Sequence, residues 1–401
     1  MLTMKTISKN DMKELNRLSI LKTIRSGVCS RAEISASLGL SKPAVSSLVD
    51  ELIKEGLVVE TGRGDSTEAG GKRPILLDFQ ADAALIAAVS FNNKRYEVAL
   101  TNLVGKVLFY VKKKITLHSD YRETMDLIVQ DIRQLTDKAR EQGIQQPVVA
   151  CGMAIRGLVD TKRGMMRYSA AIPWIDAPIG DYMGERLGIP IFLENDARAG
   201  TYAELLHGNG TYRDALVCVS VGLGIGTGVV INNEVYRGAF DAAVNLAHST
   251  IDHAGPLCRC GNRGCWDALA SLTAFGEELS RRDGKYAELD FDAALRMYRE
   301  GDPAIADVLF NYTGYWLGVG IANILNVFNP EQVIIQGEIT NAGPELERKI
   351  VEVVQSRALP AVAAGVKIGF SENSAQLQVR GAAAVIGKHF FSETYHRVIW
   401  K

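Results

Sequence analysis

The stretch HSTIDHAGPLCRCGNRGC, residues 248–265, crowds three of the chain's six cysteines into eight residues and sets a histidine ahead of them. His248, Cys258, Cys260 and Cys265 follow the spacing His-x9-Cys-x-Cys-x4-Cys. In a reducing compartment such crowding argues for metal rather than disulfides. Zinc takes four tetrahedral nitrogen or sulfur ligands at about 2.0–2.3 Å. Three thiolates on one tight loop and an imidazole from the segment before it supply that set. Gly261 and Gly264 let the loop fold round an ion without steric cost. Full protein ligation leaves no open coordination position, so the expected zinc is structural, about one per chain. His253 is nearer the cysteines in sequence and competes with His248 as fourth ligand.

Around this loop lies a chain of 401 residues, which predicts two or three domains. With 47% hydrophobic and 23% charged residues it has ample material for packed cores, a composition that argues against global disorder. The formal net charge is −1, so any nucleic-acid site must be local. The first twenty residues are polar and periodic, unlike a signal peptide. No run of about 18 apolar residues is present to span a membrane. The expectation is a cytoplasmic protein with no membrane partner.

Residues 1–80 have their own texture. Met12, Leu15, Leu18 and Leu21, widened by Ile20 and Ile24, form an amphipathic helix that stops near Gly27. Ser30 caps a short second helix with Ile34 and Leu38 four apart. After the turn at Gly39, Ser41 caps a third helix, with Pro43 tolerated in its first turn. Val45, Leu48, Val49, Leu52 and Ile53 share one face of it. Strand-like runs at Leu57–Glu60 and Ile75–Phe79 flank a polar loop. Three helices and a hairpin predict a winged helix-turn-helix, whose second helix-turn-helix element enters the major groove. The reading face then holds Ser41, Lys42, Pro43, Ser46 and Ser47, with Arg31 nearby and Arg63, Lys72 and Arg73 on the wing. Residues 1–49 carry eight Lys and Arg against three Asp and Glu, so operator DNA is the expected partner and binding should be salt-sensitive.

From about Leu85 strands alternate with helices. Strands are expected at Leu85–Phe91, Tyr96–Asn102, Gly105–Val111, Val148–Ile155, Pro190–Leu193 and Ala215–Val221. A helix is expected from Arg122 to Gln142, and a buried helix Leu317–Phe328 precedes a strand Gln332–Gln336. This alternation implies an α/β body.

The run from His248 to Cys265 resembles the signature of the ROK family of repressors and sugar kinases, and the resemblance extends over nearly the whole chain. It implies an N-terminal winged helix followed by a two-lobed actin-like body (sugar kinase, ribonuclease H-like), with a sugar cleft between the α/β lobes. The expected divisions are 1–80 for the DNA reader, 81–200 for the first lobe and 201–401 for the second. The C-terminal helix belongs either to the second lobe or returns to the first. The resemblance favours His248 over His253, because the family's signature histidine both ligates zinc and touches sugar. Glu194-Asn195-Asp196-Ala197 resembles the family's Glu-Asn-Asp-Ala run, which implies sugar contacts for Asn195 and Asp196. Asp196 is the position of the kinases' base. A carboxylate beside an amide at a strand end suits a polyol. Gly222-Leu-Gly-Ile-Gly-Thr-Gly228 resembles the family's second Gly-rich loop, which approaches nucleotide phosphate in the kinases; a glycine-requiring β-turn is the competing explanation.

Several positions depart from the family pattern. Ser90, Asn92 and Asn93 stand where the kinases carry an acidic residue and glycines, and Gln336-Gly337-Glu338 alters the late Gly-Gly turn. Phosphoryl transfer rests on positioning and charge neutralisation, so losing this phosphate grip implies loss of kinase activity. Asn245 replaces a sugar-binding carboxylate, Arg156 stands before Gly157 where Pro is usual, and Asp267 replaces Glu. Arg156 suits an acidic or phosphorylated ligand, or a surface salt bridge. The expected ligand-facing set is therefore Asn195, Asp196, His248, Asn245, Arg156, Gly157 and Asp267. The expected protein is a sugar-responsive repressor of carbohydrate-utilisation genes, a homodimer or tetramer, and not an enzyme. A sugar kinase that kept a DNA-binding module is the alternative.

Overall fold

The structure is a computed structural model that describes residues 9–64, 73–207, 214–239, 241–372, 376–392 and 396–400. Its N-terminal module contains helices Lys9–Ser26, Arg31–Leu38 and Lys42–Lys54. Local chemistry sets their ends. Ser30 forms a capping box: its Oγ accepts from Glu33 N at 3.3 Å, and its N donates to Glu33 Oε2 at 2.7 Å. Ser41 caps the third helix, whose Val45, Leu48, Val49 and Leu52 are buried. Strands Val58–Arg63 and Ile75–Phe79 form the wing hairpin. A third strand, Cys29–Ser30, pairs with Ile75–Phe79. Sequence reading missed it, since two residues leave no alternation to detect.

The body has two five-stranded sheets. The first runs in the order Ile191–Asn195, Val148–Ile155, Leu85–Phe91, Arg95–Asn102 and Val107–Lys114. The second runs Glu234–Val235, Ile225–Ile231, Ala215–Val221, Gln332–Gln336 and Lys367–Phe370. The strand expected at Gly105–Val111 starts later, because Gly105 (φ 77°) is in the turn before it. The helix Asp196–His207 continues directly from the last strand of the first sheet and packs on Ile225–Ile231 of the second.

That packing explains half of the glycine run. A β-carbon on Gly226 would lie 2.7 Å from Ala197 Cβ, and one on Gly228 would lie 2.0 Å from Thr201 Oγ1. These two glycines sit inside a strand and admit the helix. The C-terminal helix Leu377–Phe390 lies across Leu85–Phe91 and Val148–Ile155 of the first sheet and against Asp196–His207. Helices between 266 and 363, among them Leu272–Arg282, Tyr315–Phe328 and Pro344–Arg357, build the second lobe's core.

The DNA-reading module is bolted to the first lobe. Ile20, Leu21, Ile24 and Phe79 share one apolar core with Ile86, Ala383, Phe390 and Phe391. Arg17 is buried there, donating to His396 Nε2 at 2.9 Å and pairing with Glu55. Nε2 must accept from the guanidinium, so His396 Nδ1 carries the proton it gives to the Phe390 carbonyl at 2.6 Å. No helix among the described residues is long and apolar enough to cross a membrane.

Candidate metal centre, ligand cleft and DNA-reading face

His248, Cys258, Cys260 and Cys265 come together with all four ligand atoms within 4.8 Å of one another. His253 is not in this group. The geometry can be tested against zinc. A tetrahedron with bonds of about 2.3 Å has edges of about 3.8 Å. His248 Nδ1 lies 3.7 Å from Cys258 Sγ, and Cys260 Sγ lies 3.6 Å from Cys265 Sγ. The donors thus fit a tetrahedral ion. Gly264 takes φ 64°, and a β-carbon there would meet the Asp252 carbonyl at 1.5 Å, so the loop accepts only glycine. The loop is anchored through Cys265 to the helix Trp266–Ala270. Trp266 is buried and donates from Nε1 to the Trp316 carbonyl at 2.9 Å, lying over Gly320. With Nδ1 facing the thiols, His248 Nε2 is left for a second partner.

Of the residues expected to face a ligand, Arg156, Gly157, Asn195 and Asp196 lie at the carboxyl ends of the first sheet's strands Val148–Ile155 and Ile191–Asn195, where α/β sheets bind ligands, and Asn245, His248 and Asp267 belong to the second lobe. Asn195 does two jobs locally. Its Oδ1 accepts from Ala197 N and Arg198 N, both at 3.1 Å, capping the helix, and its Nδ2 donates to the Gly157 carbonyl at 3.0 Å. Gly157 has φ 127° and approaches the Tyr168 carbonyl too closely for a side chain. Asp196 Oδ1 accepts from Ala197 N at 2.9 Å and Asn195 Nδ2 at 3.2 Å. Burial pushes the Asp196 carboxyl pKa up, against the opposing pull of the Arg156 charge, the backbone N–H groups and Arg198. Arg156 reaches over to the second lobe. A β-carbon on Gly224 would lie 2.0 Å from Arg156 Nη2 and 2.8 Å from Asp267 Oδ1, so both side chains press on that glycine. Asp267 Oδ1 also accepts from Ile225 N at 2.6 Å. Asn245 is exposed and donates to the Ala242 carbonyl at 2.7 Å, just ahead of the single turn Leu246–His248.

Sequence reading missed the clamp behind this site. Glu194, only 1% exposed, receives Arg198 Nε at 2.7 Å and pairs with Arg237. Arg237 pairs with Asp241 at 2.9 Å, and Asp241 accepts from Thr161 Oγ1 at 2.7 Å. Burial raises the Asp241 carboxyl, but hydrogen bonds from Thr161 and Arg237 outweigh it and hold the pKa below its ordinary value. The clamp ties the start of the cleft helix to the loop that leads to Asn245 and His248. Its visible signal was Glu194 and Arg198, an i, i+4 pair.

On the DNA-reading side, Ser41, Lys42, Pro43 and Ser47 are exposed and Ser46 is half-buried. Arg63 and Arg73 are exposed on the wing, while Lys72 lies outside the described residues. Arg31 is engaged within the module, at 2.9 Å from both Asp50 and Glu60. Lys13 and Arg17 are likewise paired, with Glu51 and Glu55. Three of the eight N-terminal cations therefore brace the module.

A winged-helix DNA reader packed onto a two-lobed sugar-kinase-like body is the class of molecule these features define. The ROK family pattern matches residues 87–389 and the MarR family pattern matches residues 15–66. The chain belongs to the ROK family. A xylose repressor from Bacillus spizizenii is 31% identical over 381 residues, covering 94% of this chain and 96% of that one. A glucokinase from Thermotoga maritima is 30% identical over 318 residues, covering 75% of this chain and 96% of that one. The crystal structure of a ROK family transcriptional regulator, a homolog of the E. coli MLC protein, superposes with a TM-score of 0.84 at 25% identity, covering 97% of this chain and 99% of that one.

Proposed function

We propose that this protein is a sugar-responsive transcriptional repressor that controls carbohydrate-utilisation genes. The observation that carries this reading is the shared core of Ile20, Leu21, Phe79, Ile86 and Phe390, which fuses a DNA reader to the lobe that carries Asp196. Asn195, Asp196, His248, Asn245, Arg156, Gly157 and Asp267 face the sugar. Arg31, Ser41, Lys42, Pro43, Ser46, Ser47, Arg63, Lys72 and Arg73 serve the operator, with Arg31 acting through its bracing of the reading helix. The metal is zinc, held by His248, Cys258, Cys260 and Cys265. Bound there, zinc would stiffen the loop and leave His248 Nε2 free for a second partner. The protein acts in the cytoplasm as a homodimer or tetramer, so that two readers meet a palindromic operator.

Kinase activity is absent in this reading. Asn92 accepts from Lys94 N at 2.9 Å and Arg95 N at 3.0 Å, so its side chain closes the hairpin turn where a phosphate would need bare backbone. Ser90 offers no carboxylate for magnesium. Titration calorimetry with ATP and Mg²⁺ should show no saturable binding; micromolar binding would revive the kinase alternative. The relative named a xylose repressor makes D-xylose the first effector to try. The main test is a gel-shift series on DNA upstream of a carbohydrate operon, with D-xylose, D-glucose and N-acetylglucosamine. A mobility shift that responds to one sugar supports the repressor; no binding to any operator fragment overturns it.

A further inference from the structure

We propose that Arg95 and Glu338 form a latch between the two lobes, and act as positioning residues that set the cleft before any ligand arrives. Arg95 opens the strand Arg95–Asn102 of the first sheet. Glu338 follows the strand Gln332–Gln336 of the second sheet. Arg95 Nη2 donates to Glu338 Oε1 at 2.6 Å, across 243 residues of sequence. Arg95 starts a strand antiparallel to Leu85–Phe91 and so lies beside that strand's carboxyl end, while Glu338 follows the carboxyl end of the parallel strand Gln332–Gln336; the pair therefore joins the edges of the two sheets where an α/β protein takes its ligands.

Both partners are held in place beforehand. The Asn92 side chain folds the turn that delivers Arg95. Glu97, with a side chain only 10% exposed, lies 3.6 Å from Arg95 and 3.5 Å from Lys112, which makes a network rather than an isolated pair. Gly337 takes φ 96° and runs so close to the Val221 carbonyl that a β-carbon would sit 2.5 Å from it. That turn aims Glu338 back at the first lobe. An isolated surface pair is worth little, but a preorganised network with fixed partners contributes more. Neither Arg95 nor Glu338 belongs to the ligand-facing set, so the latch sets lobe spacing without contacting ligand. The same residues that obstruct a nucleotide give the lobes a tie that needs none.

The ligand arm of the test rests on the sugar-binding reading; the apo arm does not. Arg95→Glu, Glu338→Arg and the double swap Arg95→Glu/Glu338→Arg are compared with the parent by hydrogen–deuterium exchange without ligand. Each single change should raise exchange at residues 92–96 and 336–343 together, by roughly fivefold, the equivalent of a ~1 kcal/mol pair. The swap should recover part of the protection at both segments, because Arg95→Glu leaves a like charge beside Glu97 even when the pair with position 338 is re-formed. If a charge reversal disturbs folding, the parent at about 1 M NaCl, where the screening length falls to about 3 Å, should show the same paired rise. Unchanged exchange in the single variants, or a swap no better protected than either single variant, overturns the latch. In the ligand arm, D-xylose affinity should weaken severalfold in each single variant and recover in part in the swap. Equal sugar affinity in the parent and the single variants also overturns it. If the parent binds no sugar while the exchange pattern holds, the latch stands and the sugar-binding reading falls.

Discussion

Removing the Glu194 carboxylate is the sharpest perturbation of the clamp behind the cleft. Its side chain is 1% exposed and Arg198's is 5% exposed, so this ion pair is fully buried. Breaking a buried pair by deleting one partner costs about 3–5 kcal/mol, because the surviving charge is left without compensation. Two features pull the figure to the lower edge. Arg237 is 28% exposed, so water screens its share of the loss. Arg198 also keeps the Asp241 carbonyl at 2.9 Å and its carboxylate at 3.8 Å. We therefore expect Glu194→Ala to cost about 3 kcal/mol. At roughly 2–4 °C per kcal/mol for domains of this size, the unfolding midpoint should fall by roughly 6–12 °C in scanning calorimetry. Glu194→Gln keeps the shape and loses the charge, so it should give about half that drop. A double-mutant cycle with Arg198→Met should show coupling of at least about 1.5 kcal/mol. A fall of under about 2 °C in Glu194→Ala, or a Gln variant as stable as the parent, would refute the reasoning, since shape alone would then account for the site.

Three further outcomes are expected. Elemental analysis should find about one zinc per chain, and Cys260→Ser should lower it and blunt the sugar response; undiminished zinc in that variant contradicts the ligand assignment. Lys42→Ala, Arg63→Ala and Arg73→Ala should each weaken operator binding and reduce the slope of log affinity against log salt by about 0.9, whereas an unchanged slope would place that residue off the phosphates. Burial, with the charges of Arg237 and Lys388, pushes His389 down to about 4. The unfolded chain takes up that proton near pH 6.5 and the folded protein only near 4, so stability should fall as pH drops from about 6.5 toward 4. His389→Phe, which keeps the stack on Phe192 at 4.7 Å, should flatten that acid limb, and an unaltered limb in urea titrations would rule His389 out as its source.

The parts of the fold that could be read from sequence are those whose causes are local. The helix Lys42–Lys54 was legible because Val45, Leu48, Val49 and Leu52 recur at helical spacing behind Ser41. Ser30 with Glu33 is likewise a pattern within four residues. The metal loop was legible because its three thiols lie within eight residues. Other elements were missed for physical reasons. Trp266–Ala270 and Pro360–Ala363 are too short to show a period. Leu272–Arg282 and Phe291–Arg299 carried usable caps at Ser271 and Asp290, a signal that was present and passed over. Arg95 with Glu338 and Arg17 with His396 join residues 243 and 379 apart, and no local rule pairs them. Asn195 shows a subtler limit. Its residue type suited a sugar, but the amide is also a helix cap, and only the folded geometry shows both demands on it.

For a sugar to alter DNA binding, it must favour one arrangement of the lobes over the other, and its differential affinity bounds the shift it can cause. The structure limits which parts are free to move. The reader shares its core with the first lobe through Phe79, Phe390 and Phe391, and Arg17 is pinned between His396 and Glu55 at the end of the reading helix. Separating the reader from that lobe would expose those rings and break the buried Arg17–His396 hydrogen bond, a cost above that of parting exposed ion pairs. The joint between the lobes is different. Apart from the clamp of Glu194 and Arg198 with Arg237 and Asp241, its polar ties, Arg95 with Glu338 and Thr161 with Asp241, lie at partly exposed positions. In the proposed reading, the coordinate open to a sugar is rotation of the second lobe about that clamp, against a unit of reader plus first lobe. A ligand held, as proposed, by Asp196 on one side and the His248 loop on the other would act on that coordinate directly. If the second lobe also forms the contact between protomers, a small rotation in each changes the separation of the two reading helices, and no flexible hinge inside the DNA-binding module is needed.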